Sequence, residues 1–234
     1  MLRTRTSIFP AAVAALAIAS SLAAPLSADA AARGSASSYS LARVQGQVAR
    51  WNPCAPIHYR VNVSHAPSGA LTDTKTAVSR IARETGMRFV YDGSTKTIPT
   101  VKGARAAGLT VAWAKPGTGT GRSDLLPGGK TIGTGGFNAS YRINNGVISG
   151  MHIVNGYVVI DTASNNLRGG FVDIKDGATS RGALIEHELG HAIGLNHVND
   201  KSQIMNPIIG GYASFGAGDI SGLRKVGKPA GCIS

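Results

Sequence analysis

The feature that most restricts the fold of this 234-residue chain is the spacing of three histidines: His187, His191 and His197. A separation of four residues places the first two imidazoles one turn apart on the same face of a helix. Gly194 can end that helix in a left-handed conformation, so that the chain turns sharply and returns His197 to the same point. Three imidazoles with one open position are typical of a catalytic zinc site. The spacing therefore predicts a helix, a tight turn and a metal centre.

A glutamate stands directly after the first of these histidines. A bare H-E-x-x-H often lies on a helix for reasons unrelated to metal, whereas chance assembly of three histidines, Glu188 and Gly194 at this spacing has a likelihood on the order of one in a hundred thousand. We therefore interpret Glu188 as a candidate general base. Glu186 is expected to point away from the metal face and to lie on the surface.

At this point the sequence resembles a known group. Residues 187–197 fit the H-E-x-x-H-x-x-G-x-x-H signature of the metzincin zinc peptidases. Met205, followed by Asn206 and Pro207, resembles their Met-turn and is most similar to that of the matrixin branch. Residues 218–223 resemble the start of the closing helix of that branch. Val198 departs from the pattern, because matrixins usually have serine after the third histidine.

The resemblance implies specific roles for individual residues. His187, His191 and His197 would hold one catalytic zinc, and Glu188 would act on a water that the zinc activates. Met205 would pack beneath the ligands, and Pro207, Ile208 and Ile209 would wall a substrate pocket. The implied activity is a zinc-dependent endopeptidase whose peptide substrate pairs with an edge strand within residues 133–151. The implied fold is α+β and metzincin-like, with a small C-terminal subdomain that holds the Met-turn and the closing helix.

Residues outside this motif offer few ligands for a second metal ion. The other histidines, His58, His65 and His152, are too few and too scattered to form a second zinc site. Calcium in the loops between residues 161 and 176 is an alternative to solvated turns. The oxygen ligands for it would come from the carboxylate of Asp161, Asp173 or Asp176.

The hydrophobic pattern predicts a mixed five-stranded sheet with an antiparallel edge and two long helices, in which the upper part is α/β-like. The Asn155-Gly156 pair is a strong hairpin signal, and residues 115–136 are expected to form a surface loop. The predicted strands cover residues 57–63, 89–91, 109–114, 147–149 and 157–160, and the predicted helices cover residues 71–85 and 183–193.

The amino terminus is typical of a secretory signal. Arg3 and Arg5 precede an apolar stretch, and the small residues around Asp29 fit cleavage after Ala30. We interpret residues 1–30 as the signal and residues 31–50, rich in Ser, Ala and Gly, as a flexible leader or short pro-segment. Residues 51–234 would form a single peptidase domain, with an upper subdomain over 51–197 and a lower subdomain over 198–234. The protein is predicted to be secreted and extracellular.

The chain has two cysteines, Cys54 and Cys232. In an exported protein, two cysteines near the ends of the folded part predict a single disulfide. The alternative is a free Cys54 thiolate that binds metal. Asn62 and Asn138 begin glycosylation sequons, whose use depends on the host.

The net charge of +12 arises from 24 basic and 12 acidic residues and suits weak association with anionic surfaces. The basic residues are scattered without an aromatic-interleaved motif, so we predict no nucleic-acid partner and no stable membrane insertion. We expect a monomer that acts on protein or peptide substrates. Two alternatives are a zinc amidase that acts on a non-protein amide such as a cell-wall peptide, and a secreted basic binding protein without catalysis.

Overall fold

The computed structural model describes residues 32–103 and 108–233, so the predicted signal segment lies outside the described residues. The strands are β1 (Arg43–Val44), β2 (Gln47–Val48), β3 (Ile57–Asn62), β4 (Phe89–Ser94), β5 (Gly108–Pro116), β6 (Arg122–Ser123), β7 (Gly133–Asn144) and β8 (Val147–Asp161). The α-helices are α1 (Ala70–Thr85), α2 (Arg181–Ile193) and α3 (Ala217–Val226).

Five strands form the central sheet in the order β4-β3-β5-β8-β7, and β6 pairs with β5 beside this path. Strands β4, β3, β5 and β8 run parallel, whereas β7 runs antiparallel to β8 at the edge. The α+β class, the mixed sheet and the antiparallel edge are confirmed. The two long helices and the C-terminal helix are also present.

Successive side chains of a strand point to opposite faces of the sheet, so alternate residues share one environment. In β3, Ile57, Tyr59 and Val61 are buried while His58 and Arg60 between them are exposed. In β8, Val158 and Ile160 join the main core beneath α1 and α2, whereas Val159 belongs to a smaller cluster with Ala114 and Leu126. The helices therefore cover one face, and the long connection between β5 and β7 covers part of the other.

The hairpin turn lies ten residues before its predicted place. Asn145 and Gly146 form it, with φ values of 48° and 78°, and β8 then continues without interruption to Asp161. The predicted turn at Asn155-Gly156 is therefore wrong, and the predicted strands 147–149 and 157–160 are one strand. Asn155 instead accepts a hydrogen bond from the Asn138 amide at 2.6 Å across the ladder.

Packing explains why Gly156 belongs to a strand. A Cβ at this position would lie 3.2 Å from both Leu109 and Trp51, so the glycine allows a close approach of buried side chains. The predicted loop over residues 115–136 is also partly wrong, because β6 lies within it and β7 begins at Gly133.

Residues 32–50 do not form a flexible leader. The carbonyl of Arg33 accepts from Ala217 N at 2.7 Å, and that of Ser40 accepts from Asn196 N at 2.9 Å. Leu41 bridges to Leu195, and Ala49 is fully buried. The predicted flexibility is wrong for these residues, because their backbone groups hydrogen-bond to the body of the protein.

A protein that begins at Ala42 should be less stable than one that begins at Ala31. It lacks the backbone hydrogen bonds made by Arg33 and Ser40, and the Arg33 guanidinium that donates to the Ser214 carbonyl at 2.6 Å. We expect a loss of about 2–4 kcal/mol in the free energy of unfolding, at about 1 kcal/mol for each hydrogen bond. Urea denaturation of both proteins measures it, and equal midpoints would show that the segment is dispensable.

The predicted disulfide is present. Cys54 and Cys232 are bonded across a sequence separation of 178 residues, which excludes the free thiolate. The Arg50 guanidinium donates to the carbonyls of Ala230 and Gly231, so the C-terminal end is held close to the start of the sheet. Within the described residues, no helix has the length and apolar character needed to cross a membrane.

Candidate metal centre and cleft

Helix α2 carries two of the three histidines and is buried along nearly its whole length. The Ser180 side chain caps its first turn by accepting from Ala183 N, and Gly194 ends it with a φ of 115°. A Cβ at Gly194 would also lie 2.6 Å from the Ala49 carbonyl oxygen. Both the backbone conformation and the close contact with the N-terminal segment therefore require glycine at this turn.

The structure brings the three histidines together at one point. The His187 Nε2 atom lies 3.2 Å from that of His191 and 3.1 Å from that of His197, and the remaining pair is 3.0 Å apart. Among residues 32–103 and 108–233, this triad is the one group of three or more His, Cys, Asp or Glu side chains with ligand atoms gathered closely enough for a metal ion.

The hydrogen bonds made by the Nδ1 atoms of His187 and His191 determine whether their Nε2 atoms carry a proton. His187 Nδ1 lies 2.7 Å from the Ile204 carbonyl oxygen, and His191 Nδ1 lies 2.9 Å from that of Leu195. A carbonyl can only accept, so each Nδ1 carries the proton and each Nε2 presents its lone pair to the centre. Converging lone pairs repel unless a cation lies between them, so the donor set fits a zinc ion.

Burial favours the neutral imidazoles that such a site needs. Desolvation, followed by the charge of His191, lowers the pKa of His187 to about 3. Desolvation also lowers the pKa of His191 to about 4 and lowers the pKa of the more exposed His197. These imidazoles are therefore available as ligands at neutral pH.

Glu188 lies beside the triad and is 5% exposed. Burial raises the pKa of its carboxyl group to about 8, and a hydrogen bond from the Gly135 backbone acts in the opposite direction. Its place beside the triad, within the cleft, is the position that a general base requires.

Met205 lies beneath the histidines. It is 1% exposed, and a Cβ on Gly190 of α2 would overlap its sulfur atom. Gly190 therefore lets the methionine pack directly against the turn between His187 and His191. No hydrogen bond or charge is involved, so the thioether supports the helix by packing.

Asp219 of α3 holds the segment that contains this methionine. Its carboxylate accepts from Ile204 N at 2.6 Å, from Met205 N at 3.2 Å and from Gly216 N at 2.9 Å. One side chain therefore both caps the start of α3 and holds the backbone of the segment around Met205. An acidic residue fourteen positions after the methionine was the available signal in the sequence.

An open cavity of about 810 Å³ lies over the histidines and Glu188. Its rim is formed on one side by Ile132 and the start of β7, Gly133 to Gly135, and on the other by Pro207, Ile208 and Ile209. The predicted wall residues thus line the same cleft as the triad. Ile208 is 79% exposed, so an apolar side chain faces solvent at this rim.

Glu186 is fully buried, so the prediction that it lies on the surface is wrong. The Arg80 guanidinium of α1 lies 3.3 Å from its carboxylate and donates to the Ala213 carbonyl at 2.6 Å. Burial raises the pKa of Glu186 to about 8, and the charge of Arg80 opposes this shift. The side of α2 opposite the metal is therefore covered by α1 and by the segment after the cleft wall.

The alternative of a calcium site has no support in the described chain. The Asp161 carboxylate accepts from Ala163 N, and that of Asp173 accepts from Ala213 N at 2.8 Å. Neither residue belongs to a group with metal-ligand spacing, and Asp176 is exposed. The carboxylates of Asp161 and Asp173 stabilise turns and loops instead.

The fold and the site define the class of protein: a metzincin-like chain with two histidines of the triad on helix α2 and the third just beyond its end. Residues 141–226 match the family model described as Matrixin. The chain is also similar to a protein described as a putative matrix metalloproteinase of Trichoplusia ni ascovirus 2c, with 27% identity over 161 residues. That alignment covers 67% of this chain and 28% of the viral protein. Both comparisons support a matrixin-like metzincin, and the matrixin match suggests zinc metalloprotease activity.

Proposed function

We propose that this protein is a secreted zinc-dependent endopeptidase that hydrolyses peptide bonds in protein or peptide substrates. The observation that carries the proposal is the convergence of three Nε2 atoms within 3.2 Å of one another, beside Glu188, at the floor of an open cleft. The matrixin match over residues 141–226 supports the same reaction. The alignment spans 28% of the length of the viral relative. The substrates and partners proposed for this chain are therefore inferred from its own site and not from that protein.

His187, His191 and His197 would hold the metal through Nε2, and Met205 would support the helix beneath them. When bound there, zinc supplies a Lewis acid that activates water and polarises the scissile carbonyl. Glu188 accepts the proton of the attacking water and then delivers it to the nitrogen of the leaving amine, so the C–N bond breaks as a C–O bond forms. The balance is one water consumed, with one carboxyl group and one amine produced.

The cleft also provides the means to align a peptide. The β7 residues that line it, Gly133–Gly135, lie on the edge strand, so an extended substrate can pair with their backbone. Pro207, Ile208 and Ile209 form the opposite apolar wall and would receive a substrate side chain. Backbone pairing gives register, and the wall gives side-chain preference.

Export fits this activity. The signal segment proposed for residues 1–30 would leave a mature chain beginning at Ala31, and a structural disulfide such as Cys54–Cys232 is characteristic of oxidising compartments. None of residues 32–50 lines the cleft over the triad. We therefore propose that residues 32–50 stay in the active enzyme as part of its single peptidase domain.

The proposal is tested by digestion of casein, followed on a gel, with and without a zinc chelator. We expect cleavage at internal peptide bonds, its loss after chelation, and its return when zinc is added. Mass spectrometry of the fragments distinguishes internal cleavage from release of terminal residues. Absence of cleavage under every condition, with zinc bound, would contradict the proposal and favour a binding protein, while hydrolysis confined to cell-wall peptides would favour an amidase.

A further inference from the structure

The first residues of β7 lie directly against the turn of α2 that carries Glu188. Gly133 and Gly135 are two residues apart, so they face the same side of the sheet. A Cβ at Gly133 would lie 2.7 Å from Glu188 Oε1 and 3.0 Å from its Cγ, and one at Gly135 would overlap the Glu188 carbonyl oxygen. Ordinary contacts of a Cβ begin near 3.4 Å. Gly135 therefore admits only glycine in this arrangement, whereas a Cβ at Gly133 would require the Glu188 carboxylate to shift.

The reason for these glycines is space rather than backbone conformation. Gly146 in the hairpin turn has a φ of 78°, whereas neither Gly133 nor Gly135 belongs to the residues with positive φ. A larger residue could adopt the same extended backbone but would need the volume that Glu188 fills. The backbone of Gly135 also hydrogen-bonds to the Glu188 carboxylate, so that carboxylate is confined by the strand.

A glycine also allows close packing on the side of α2 that faces Met205. Gly190 has no Cβ where the Met205 sulfur atom packs, so helix and Met-turn are in direct contact. The α2 turn that bears Glu188 is thus enclosed by β7 on one side and by Met205 on the other. Small displacements of either neighbour would move the carboxylate relative to the histidines.

We propose that Gly133 and Gly135 are positioning residues for Glu188: the absence of their side chains creates the space that aims the carboxylate at the metal centre. This inference rests on the proposed peptidase function, since it assigns the strand a part in that reaction. A reacting group misplaced by about 1 Å can lose on the order of a hundredfold in rate. The strand that would pair with substrate therefore also aligns the general base.

The first test is Gly133→Ala, because its new methyl group meets the movable end of a side chain rather than backbone. We expect kcat to fall about 10- to 100-fold while KM stays within about twofold. Zinc content and melting temperature should stay close to those of the wild type. Gly156→Ala is the matched control, since its Cβ meets Leu109 and Trp51 at 3.2 Å and not Glu188. It should lower the melting temperature and leave kcat unchanged.

A double-mutant cycle separates positioning from general damage. Glutamine has the size of glutamate but cannot act as a base, so Gly133→Ala should not lower the residual rate of a Glu188→Gln protein further. An equal loss in both backgrounds, an unchanged kcat in Gly133→Ala, or a similar kcat loss in Gly156→Ala would overturn the proposal.

A crystal structure tests the positioning of Glu188 independently of peptidase activity. If the wild type cleaves no peptide, the proposed function is wrong, and the positioning claim is judged from a crystal structure of the metal-free Gly133→Ala protein. A Glu188 carboxylate displaced from its wild-type position supports the claim, and one in the same place overturns it.

Discussion

Replacing Glu188 by glutamine is expected to abolish peptidase activity while leaving the fold and the metal intact. The substitution keeps the size of the side chain but removes the group that accepts the proton of the attacking water. General bases contribute about 10²- to 10⁴-fold to rates, so we expect kcat to fall by about two to four orders of magnitude. Because His187, His191 and His197 are unchanged, the variant should bind zinc with wild-type stoichiometry. Steady-state cleavage of a fluorogenic peptide measures the loss.

The matched control is Glu186→Gln on the same helix. Glu186 is fully buried against Arg80 and lies outside the cleft, so its substitution alters the interior without touching the reaction. We expect a change in melting temperature and a kcat within about twofold of the wild type. Undiminished cleavage by Glu188→Gln, or an equal loss in Glu186→Gln, would remove Glu188 from its proposed role.

Removing the disulfide is expected to produce the largest loss of stability. The bond between Cys54 and Cys232 closes nearly the whole described chain into one loop, with a sequence separation of 178 residues. The chain-entropy model gives about 5 kcal/mol for such a loop, and measured values lie at about 2–5 kcal/mol. A Cys54→Ser and Cys232→Ser double variant should therefore show a lower free energy of unfolding by this amount in guanidinium denaturation.

The cysteines lie far from the triad in sequence and do not line the cleft, so their effect should be on stability rather than on the reaction. At a temperature where the double variant is folded, we expect kcat within about twofold of the wild type. The wild-type protein treated with reductant should unfold with the same midpoint as the double variant. A double variant as stable as the oxidised wild type would contradict this account.

The site was more predictable than the sheet because its geometry is local. His187, His191, Gly194 and His197 lie within eleven residues, so helical spacing and one left-handed glycine suffice to bring the rings together. The residues that enclose Glu188 come from elsewhere in the chain. Gly133 and Gly135 stand more than fifty residues earlier, and a G-x-G pair in a strand signals close backbone approach without identifying the partner.

The strand ladder could not be predicted because two equal turn signals compete. Asn145-Gly146 and Asn155-Gly156 are the same dipeptide, and an apolar residue follows each of them, Val147 and Tyr157. The choice depends on tertiary packing, since Gly156 is needed where Trp51 and Leu109 meet β8. The turn therefore forms at Asn145-Gly146, and the strands of the hairpin are longer than predicted.

The sequence also showed no sign that Glu186 is buried or that residues 32–50 are bound to the body of the protein. Glu186 points away from the metal, as helical geometry requires, but α1 covers that side with Arg80. The Ser-rich residues 32–50 have a composition typical of flexible chains, yet they are held through backbone groups such as the carbonyls of Arg33 and Ser40. Backbone hydrogen bonds do not depend on side-chain identity, so composition could not reveal them.

The central claim, that three imidazoles hold one zinc and leave a position free for reaction, is tested most directly by anomalous diffraction at the zinc edge from crystals of the purified protein. We expect one peak, about 2.0–2.1 Å from the Nε2 atoms of His187, His191 and His197, with no fourth protein ligand. No peak at the triad, or a fourth side chain bound to the metal, would contradict the account.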